Sequence, residues 1–155
     1  MSAILGIDPG CSGALVVITQ RGTYIEHLDM PVIKIGTKSR VNGAAVAAWI
    51  RKFHITHAYL EQVGAMPGQG TASMFTFGHA AGVVEGIIQG LNIPYTLVTP
   101  QAWKKSSGLI GSDKDAARSR AIQIYPELRA LDAKAKGQAI ADALLIARYG
   151  AGVNR

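Results

Sequence analysis

The chain has 155 residues, 48% of them hydrophobic and 17% charged, which suits one globular domain over 1–155 and excludes a disordered chain. One cysteine, Cys11, cannot form an internal disulfide, and no apolar run reaches the length of a membrane span; a disulfide-stapled domain and a membrane partner are excluded, and a cytoplasmic protein is expected. Sixteen Lys and Arg against ten acids give a net charge of +6, which favours a polyanionic partner over an acidic-surface role.

The first ten residues, MSAILGIDPG, carry no basic leader and read as a strand running into a Pro-Gly turn, so no signal peptide is expected. ALVVITQ (14–20) and TYIEHLDM (23–30) are strand-like, with a hairpin turn at Arg21-Gly22. Three antiparallel strands therefore open the domain. PVIKIGTKSR (31–40) reads as an irregular basic loop, and Asn42 as the cap of a helix over GAAVAAWIRKF. HAYLEQV (57–63) is a fourth strand, and GAMPGQG (64–70) is a loop. A helix follows over about 71–90, then a fifth strand, IPYTLVT (93–99). Pro100 suits the first turn of a short helix, QAWKK, and Ser112 is placed to cap a helix that Pro126 stops. The last helix spans about 137–149 and ends near Gly150. The class is α/β, a five-stranded mixed sheet layered with helices.

In the 71–90 helix, Gly78, Gly82, Gly86 and Gly90 recur every fourth residue and share one face. Each costs about 1 kcal/mol of helix stability relative to Ala. A smooth face admits a second backbone: either the domain's own sheet, or a second copy of the chain in a symmetric dimer through Gly78, Gly82 and Gly86.

Three carboxylates lie where burial is expected. Asp8 ends one apolar strand, Glu61 ends another, and Asp142 interrupts the apolar helix AIADALLIA. An unpaired buried carboxylate is costly and needs a cation, a set of donors or a raised pKa. Positions 138, 139, 145 and 146 around Asp142 are Gln, Ala, Leu and Ile, so its helix supplies no partner. Taken singly, Asp8 can form a turn, Glu61 can meet a distant Arg, and Asp142 can point to solvent. Taken together, the three suit a divalent cation. Hard oxygen ligands match Mg²⁺ or Mn²⁺, and two such ions support phosphodiester hydrolysis. A basic protein with an acidic metal site reads as a nuclease.

GIDPG (6–10), LEQV (60–63), GHAAGVVEGI (78–87), VTPQAWKK…GLIGSDK (98–114) and ADALLIA (141–147) follow one another in order. Together these motifs resemble the RuvC-type Holliday junction resolvases, and the loop over 65–78 resembles the phage-encoded branch. The resemblance implies an RNase H-like fold with helices on both faces of the sheet. It implies a homodimer that binds branched DNA and cuts it symmetrically with Mg²⁺ or Mn²⁺, as two ions in the family pattern, inside a bacterial or phage-infected cell. Asp8, Glu61 and Asp142 match the family's catalytic, metal-binding acids. The family's final helix offers two acids three residues apart; here the earlier position is Ala139. A three-acid site, a substitute such as Gln138, or a junction binder with weak or no cleavage are the readings this departure leaves open.

The same resemblance places DNA-contacting cations after the fifth strand. Lys104 and Lys105 end QAWKK, Lys114 lies in GSDK, and Arg118 and Arg120 follow. Met66, in the loop after Glu61, is the wedge that would disturb base stacking. Lys34, Lys38 and Arg40 are further candidates for phosphate. Phe75 and Phe77 are expected in the core or an interface, Trp103 beneath the basic face, and His79 in a structural role. GIDPG alone is also similar to a phosphate hairpin of actin-like ATPases, but that fold uses two domains around its nucleotide. No nucleotide cofactor is expected.

Overall fold

A computed structural model describes residues 2–153. Its centre is β1 (Ser2–Asp8), followed by β2 (Ala14–Thr19) and β3 (Tyr24–Asp29). These runs are rich in Ile, Val and Leu, which pack well on a pleated surface. β1 pairs antiparallel with β2, and β2 antiparallel with β3. After α1 (Gly43–Ile50), β6 (His54–Glu61) joins β1 in parallel. α2 (Thr71–Gly90) leads to β7 (Tyr95–Val98), which is parallel to β6. The sheet order is β3-β2-β1-β6-β7, so the sheet is mixed as expected, with three antiparallel strands first. Then come α3 (Pro100–Ser106), α4 (Ala116–Ile124), a 3₁₀ turn at Arg129–Asp132 and α5 (Lys134–Ala151).

Strand alternation sends side chains to two cores. Ala3, Leu5 and Ile7 of β1 pack on the side of α1 and α2, with Val46, Trp49, Val84 and Ile88. Ile4 faces the other side, among Leu144, Ala147, Trp103 and Leu131. Leu144, Leu145 and Ile146 of α5 are fully buried, and each contributes about 1.5–3 kcal/mol of apolar burial. Gly6 lets α5 lie directly on β1. A Cβ there would overlap the Ala143 carbonyl oxygen and stand 2.7 Å from the Ala147 Cβ.

Three expectations are corrected. Residues 31–40 are not irregular: β4 (Val32–Ile35) and β5 (Lys38–Val41) form an antiparallel hairpin outside the main sheet. Gly36, at φ +64°, makes the turn, a conformation glycine adopts at no steric cost. Ser112 does not begin a helix. Asp113 Oδ1 accepts the Asp115 N–H at 3.1 Å, a local turn that competes with helix, so α4 starts only at Ala116. The final helix begins earlier than expected, at Lys134, and Gly152 at φ +74° ends it. Elsewhere the caps agree: Asn42 Oδ1 accepts the Ala45 N–H at 3.2 Å, and Pro100 opens α3.

The glycine face of α2 does not pack on the sheet. Gly78, Gly82, Gly86 and Gly90 are exposed, and a Cβ at any of them would meet nothing within 4 Å. Ala80, Val84 and Ile88 bury the opposite face.

Candidate active site

The register of the sheet builds the site. Ile7 pairs with Leu60 in the parallel ladder, so the next residues, Asp8 and Glu61, end adjacent strands side by side, about 4.8 Å apart in the backbone. Ile7 and Leu60 both face α2. By alternation Asp8 and Glu61 face the other way, toward α5. Ala143 of α5 sits on Gly6, two residues from Asp8 on the same face, and this brings the neighbouring Asp142 to the strand ends.

The electrostatics agree with that placement. Burial, and then the charge of Glu61, raise the Asp8 pKa from 3.8 to about 7. Burial, followed by Asp8 and Glu61, raises Asp142 from 3.8 to about 8, against an opposing pull from Lys104. Burial also raises Glu61, opposed by its bond to Trp103 and by Lys104. The three acids therefore repel one another in a poorly solvated place. No ion pair among the described residues involves any of them. The acid in the middle of α5 thus has no ion-pair partner among the described residues, and its own helix supplies none, as its sequence implied.

Among the described residues, no group of three or more His, Cys, Asp or Glu stands close enough to hold a metal ion. The three acids are near enough to shift one another's titration, yet do not form a closed cage. The donor set nevertheless fits a hard divalent cation: all oxygen, all anionic and desolvated.

One contributor was missed in the sequence. The buried indole of Trp103 donates from Nε1 to Glu61 Oε2 at 2.7 Å, and Lys104 Nζ lies 5.6 Å from the Trp103 ring centroid. α3 thereby carries both a donor that fixes Glu61 and a cation that faces the acids. Nothing in QAWKK singles out this tryptophan, because its partner lies 42 positions away.

The basic residues separate into two groups. Lys104 and Lys114 line one enclosed cavity with Gln138 and Asp142. Lys105 is exposed beside them. Arg118 is engaged inside the protein instead. Its Nε and Nη2 donate to Asp115 at 2.9 and 3.1 Å, and Nη1 donates to the Leu131 carbonyl at 3.1 Å. Arg120 bonds Gln123. Ala139 is buried in the α5 core, and the Gln138 amide donates to the Lys114 carbonyl at 2.6 Å. Gln138 thus braces the loop before α4.

On the other side of Asp8, a cleft of about 530 Å³ runs between the β1–β2 turn and the first turns of α2. Phe77 lines it. Phe75 does not enter the core; it is 63% exposed, with His79 beside it. Met66 stands 65% exposed in the loop after β6.

Residues 4–148 match the family model described as crossover junction endodeoxyribonuclease RuvC. Among solved structures, the chain is similar to Thermus thermophilus RuvC at 19% identity and TM-score 0.59, over 95% of this chain and 92% of that one. It is also similar to T. thermophilus RuvC in complex with Holliday junction substrate, at 17% identity and TM-score 0.56, over 95% and 91%. These structural likenesses show the fold. No curated protein matches the sequence.

Proposed function

The chain belongs to the RuvC family of crossover junction endodeoxyribonucleases, and from that premise we propose that Asp8, Glu61 and Asp142 form its nuclease centre and that four-way DNA is its substrate. The observation that carries the reading is the gathering of three desolvated acids at the ends of β1 and β6 and on α5, none of them in an ion pair among the described residues. Such a site is completed by divalent cations, Mg²⁺ or Mn²⁺, in a pair.

Asp8, at the central strand end, and Glu61 beside it hold one part of the site, and Asp142 closes it from α5. When bound, the ions supply an activated water and stabilise the leaving oxygen. The protein's own groups do the rest. Trp103 holds one Glu61 oxygen and leaves the other free to ligate. Lys104 and Lys114 bind the phosphate flanking the scissile bond, and Lys105 binds a neighbouring one. Met66 reaches from its loop toward the base stack at the junction centre. Arg118 is assigned here to bracing rather than to a phosphate, on the ground that its guanidinium bonds Asp115 and the Leu131 carbonyl.

Two copies of the chain associate through the exposed glycine face of α2, around Gly78, Gly82 and Gly86, and cut opposing strands. The domain functions as one unit over 1–155. Ala139 leaves the site with three acids. This favours a real but weaker hold on one ion over a pure junction-binding role, because three oxygen ligands remain together.

The test is cleavage of a synthetic four-way junction with Mg²⁺ or Mn²⁺, set against duplex DNA and against chelator. Paired nicks in the junction alone are expected. Tight junction binding with no product in either metal would establish the binding-only reading.

A further inference from the structure

Between Asp29 and Glu61 the chain carries five Lys and Arg and no acid. Three of the five cations lie in the β4–β5 hairpin: Lys34, Lys38 and Arg40. No carboxylate among the described residues forms an ion pair with them. Lys34 Nζ donates to Ser39 Oγ at 2.9 Å, and Arg40 donates to the Ser39 carbonyl at 3.1 Å. The three charges are otherwise uncompensated.

The hairpin is also unusually apolar for an exposed element. Ile33 pairs with Arg40 and Ile35 with Lys38, and cross-strand partners share a face. That face therefore alternates branched aliphatic and cationic side chains. Ile35 is 61% exposed, and the Arg40 guanidinium lies 5.9 Å from the centroid of the exposed Phe75 ring. A lysine-bearing edge that only guards against aggregation has no use for Ile35 and Phe75 on its surface.

Its position is fixed at the base and free at the tip. The Asn42 N–H donates to the Pro31 carbonyl at 2.8 Å, and Val41 is buried. Cys11 Sγ lies 3.8 Å from the Ser39 carbonyl oxygen. Cys11 also lines the cleft that contains Asp8. The hairpin thus stands beside that cleft, joined to it through Cys11, while Lys104 and Lys114 border Asp142 on the α5 side.

We infer that the β4–β5 hairpin is a second DNA-binding arm. Lys38 and Arg40, on the face they share with Ile33 and Ile35, bind phosphates of one DNA arm, Lys34 reaches a phosphate from the hairpin's other face, and Ile33 and Ile35 rest against sugars and bases at the branch. The charge complementarity is with a polyanion. The interleaved aliphatics suit a substrate whose bases are partly unstacked, which a junction offers and a duplex does not. This inference rests on the branched-DNA reading above.

The experiment measures binding of a labelled four-way junction and of its duplex arm over a salt series, with Ca²⁺ in place of Mg²⁺ to suppress cleavage. K34A/K38A removes two exposed cations that support no core contact. Its salt slope should fall by about 1.8 units, 0.9 per phosphate contact. Relative to wild type, its affinity loss should then be about tenfold greater at 50 mM than at 200 mM salt. Ile35→Ser should weaken junction binding more than duplex binding and leave the slope unchanged.

If wild type binds and cuts junctions while both variants match it in affinity and slope, the hairpin inference is overturned and the functional reading stands. If wild type fails to bind the junction, both fall. Light scattering supplies the remaining outcome: a variant that loses affinity by becoming monomeric assigns the hairpin to a second copy of the chain and overturns the DNA-arm inference.

Discussion

The indole of Trp103 donates to Glu61 Oε2 at 2.7 Å from a fully buried position. One oxygen of a proposed ligand is therefore held by the scaffold and the other is left for a cation. Hydrogen-bonded partners of metal ligands commonly control affinity by 10–100-fold. Trp103→Phe keeps the aromatic bulk and removes the donor. Mn²⁺ affinity, measured by calorimetry on the DNA-free protein, should weaken by about tenfold or more, with junction binding in Ca²⁺ retained. Unchanged Mn²⁺ affinity would remove Trp103 from the site.

The raised pKa values of Asp8, about 7, and Asp142, about 8, fix the sign of a pH effect. An acid with a folded pKa above its unfolded value binds more protons when folded, so stability falls as pH rises between the two values. Without metal, the melting temperature should decline from about pH 4 to about pH 8. Added Mg²⁺ or Mn²⁺ should raise it far more at pH 8 than at pH 5. Asp8→Asn should flatten the metal-free decline, raise the melting temperature at pH 8, and cut cleavage by at least about 100-fold. A metal-free protein equally stable at both pH values would refute the electrostatic account of the site.

Gly6 is the contact point of β1 and α5, where a Cβ would overlap the Ala143 carbonyl. Overpacking of this kind typically costs about 1–3 kcal/mol. Gly6→Ala should lower the unfolding free energy from urea titration by that amount and reduce cleavage further than the stability loss explains, because α5 carries Asp142. Full activity in a destabilised variant would show that helix displacement does not reach the acids.

Lys104 and Arg118 should separate cleanly. Lys104→Ala removes an exposed cation beside Glu61 and Asp142, and the salt slope of junction binding should drop by about 0.9. Arg118→Ala removes bonds to Asp115 and the Leu131 carbonyl. Its cost should appear as a lowered melting temperature with the slope unchanged. The reverse pattern would exchange their roles.

Much of this architecture is written locally. Apolar runs ending in Asp8 and Glu61, the helix over 71–90 and its Asn- and Pro-marked neighbours carry short-range signals that need no partner. The acid in α5 was conspicuous because its own helix offers no counter-charge. What escaped depends on distant contacts. The hairpin over 32–41 is exposed and diluted by three cations, so its alternation of Ile33 and Ile35 has no core face to sharpen it. Trp103 looks like any core aromatic until β6 delivers Glu61 to it. Arg118 reads as a DNA contact on charge alone, whereas its geometry commits it to Asp115. At Ser112, the nearby Asp113 forms a turn of its own, and one capping signal overrides another.

The pairing of Ile7 with Leu60 joins strands whose partners lie 53 positions apart. A slip of one residue in that ladder would turn Glu61 to the opposite face. Cutting power is consequently absent from any single segment and arises only when the sheet has zipped in its correct frame and α5 has docked. With Asp8, Glu61 and Asp142 as the proposed centre, a half-made or partly unravelled copy is expected to leave DNA uncut.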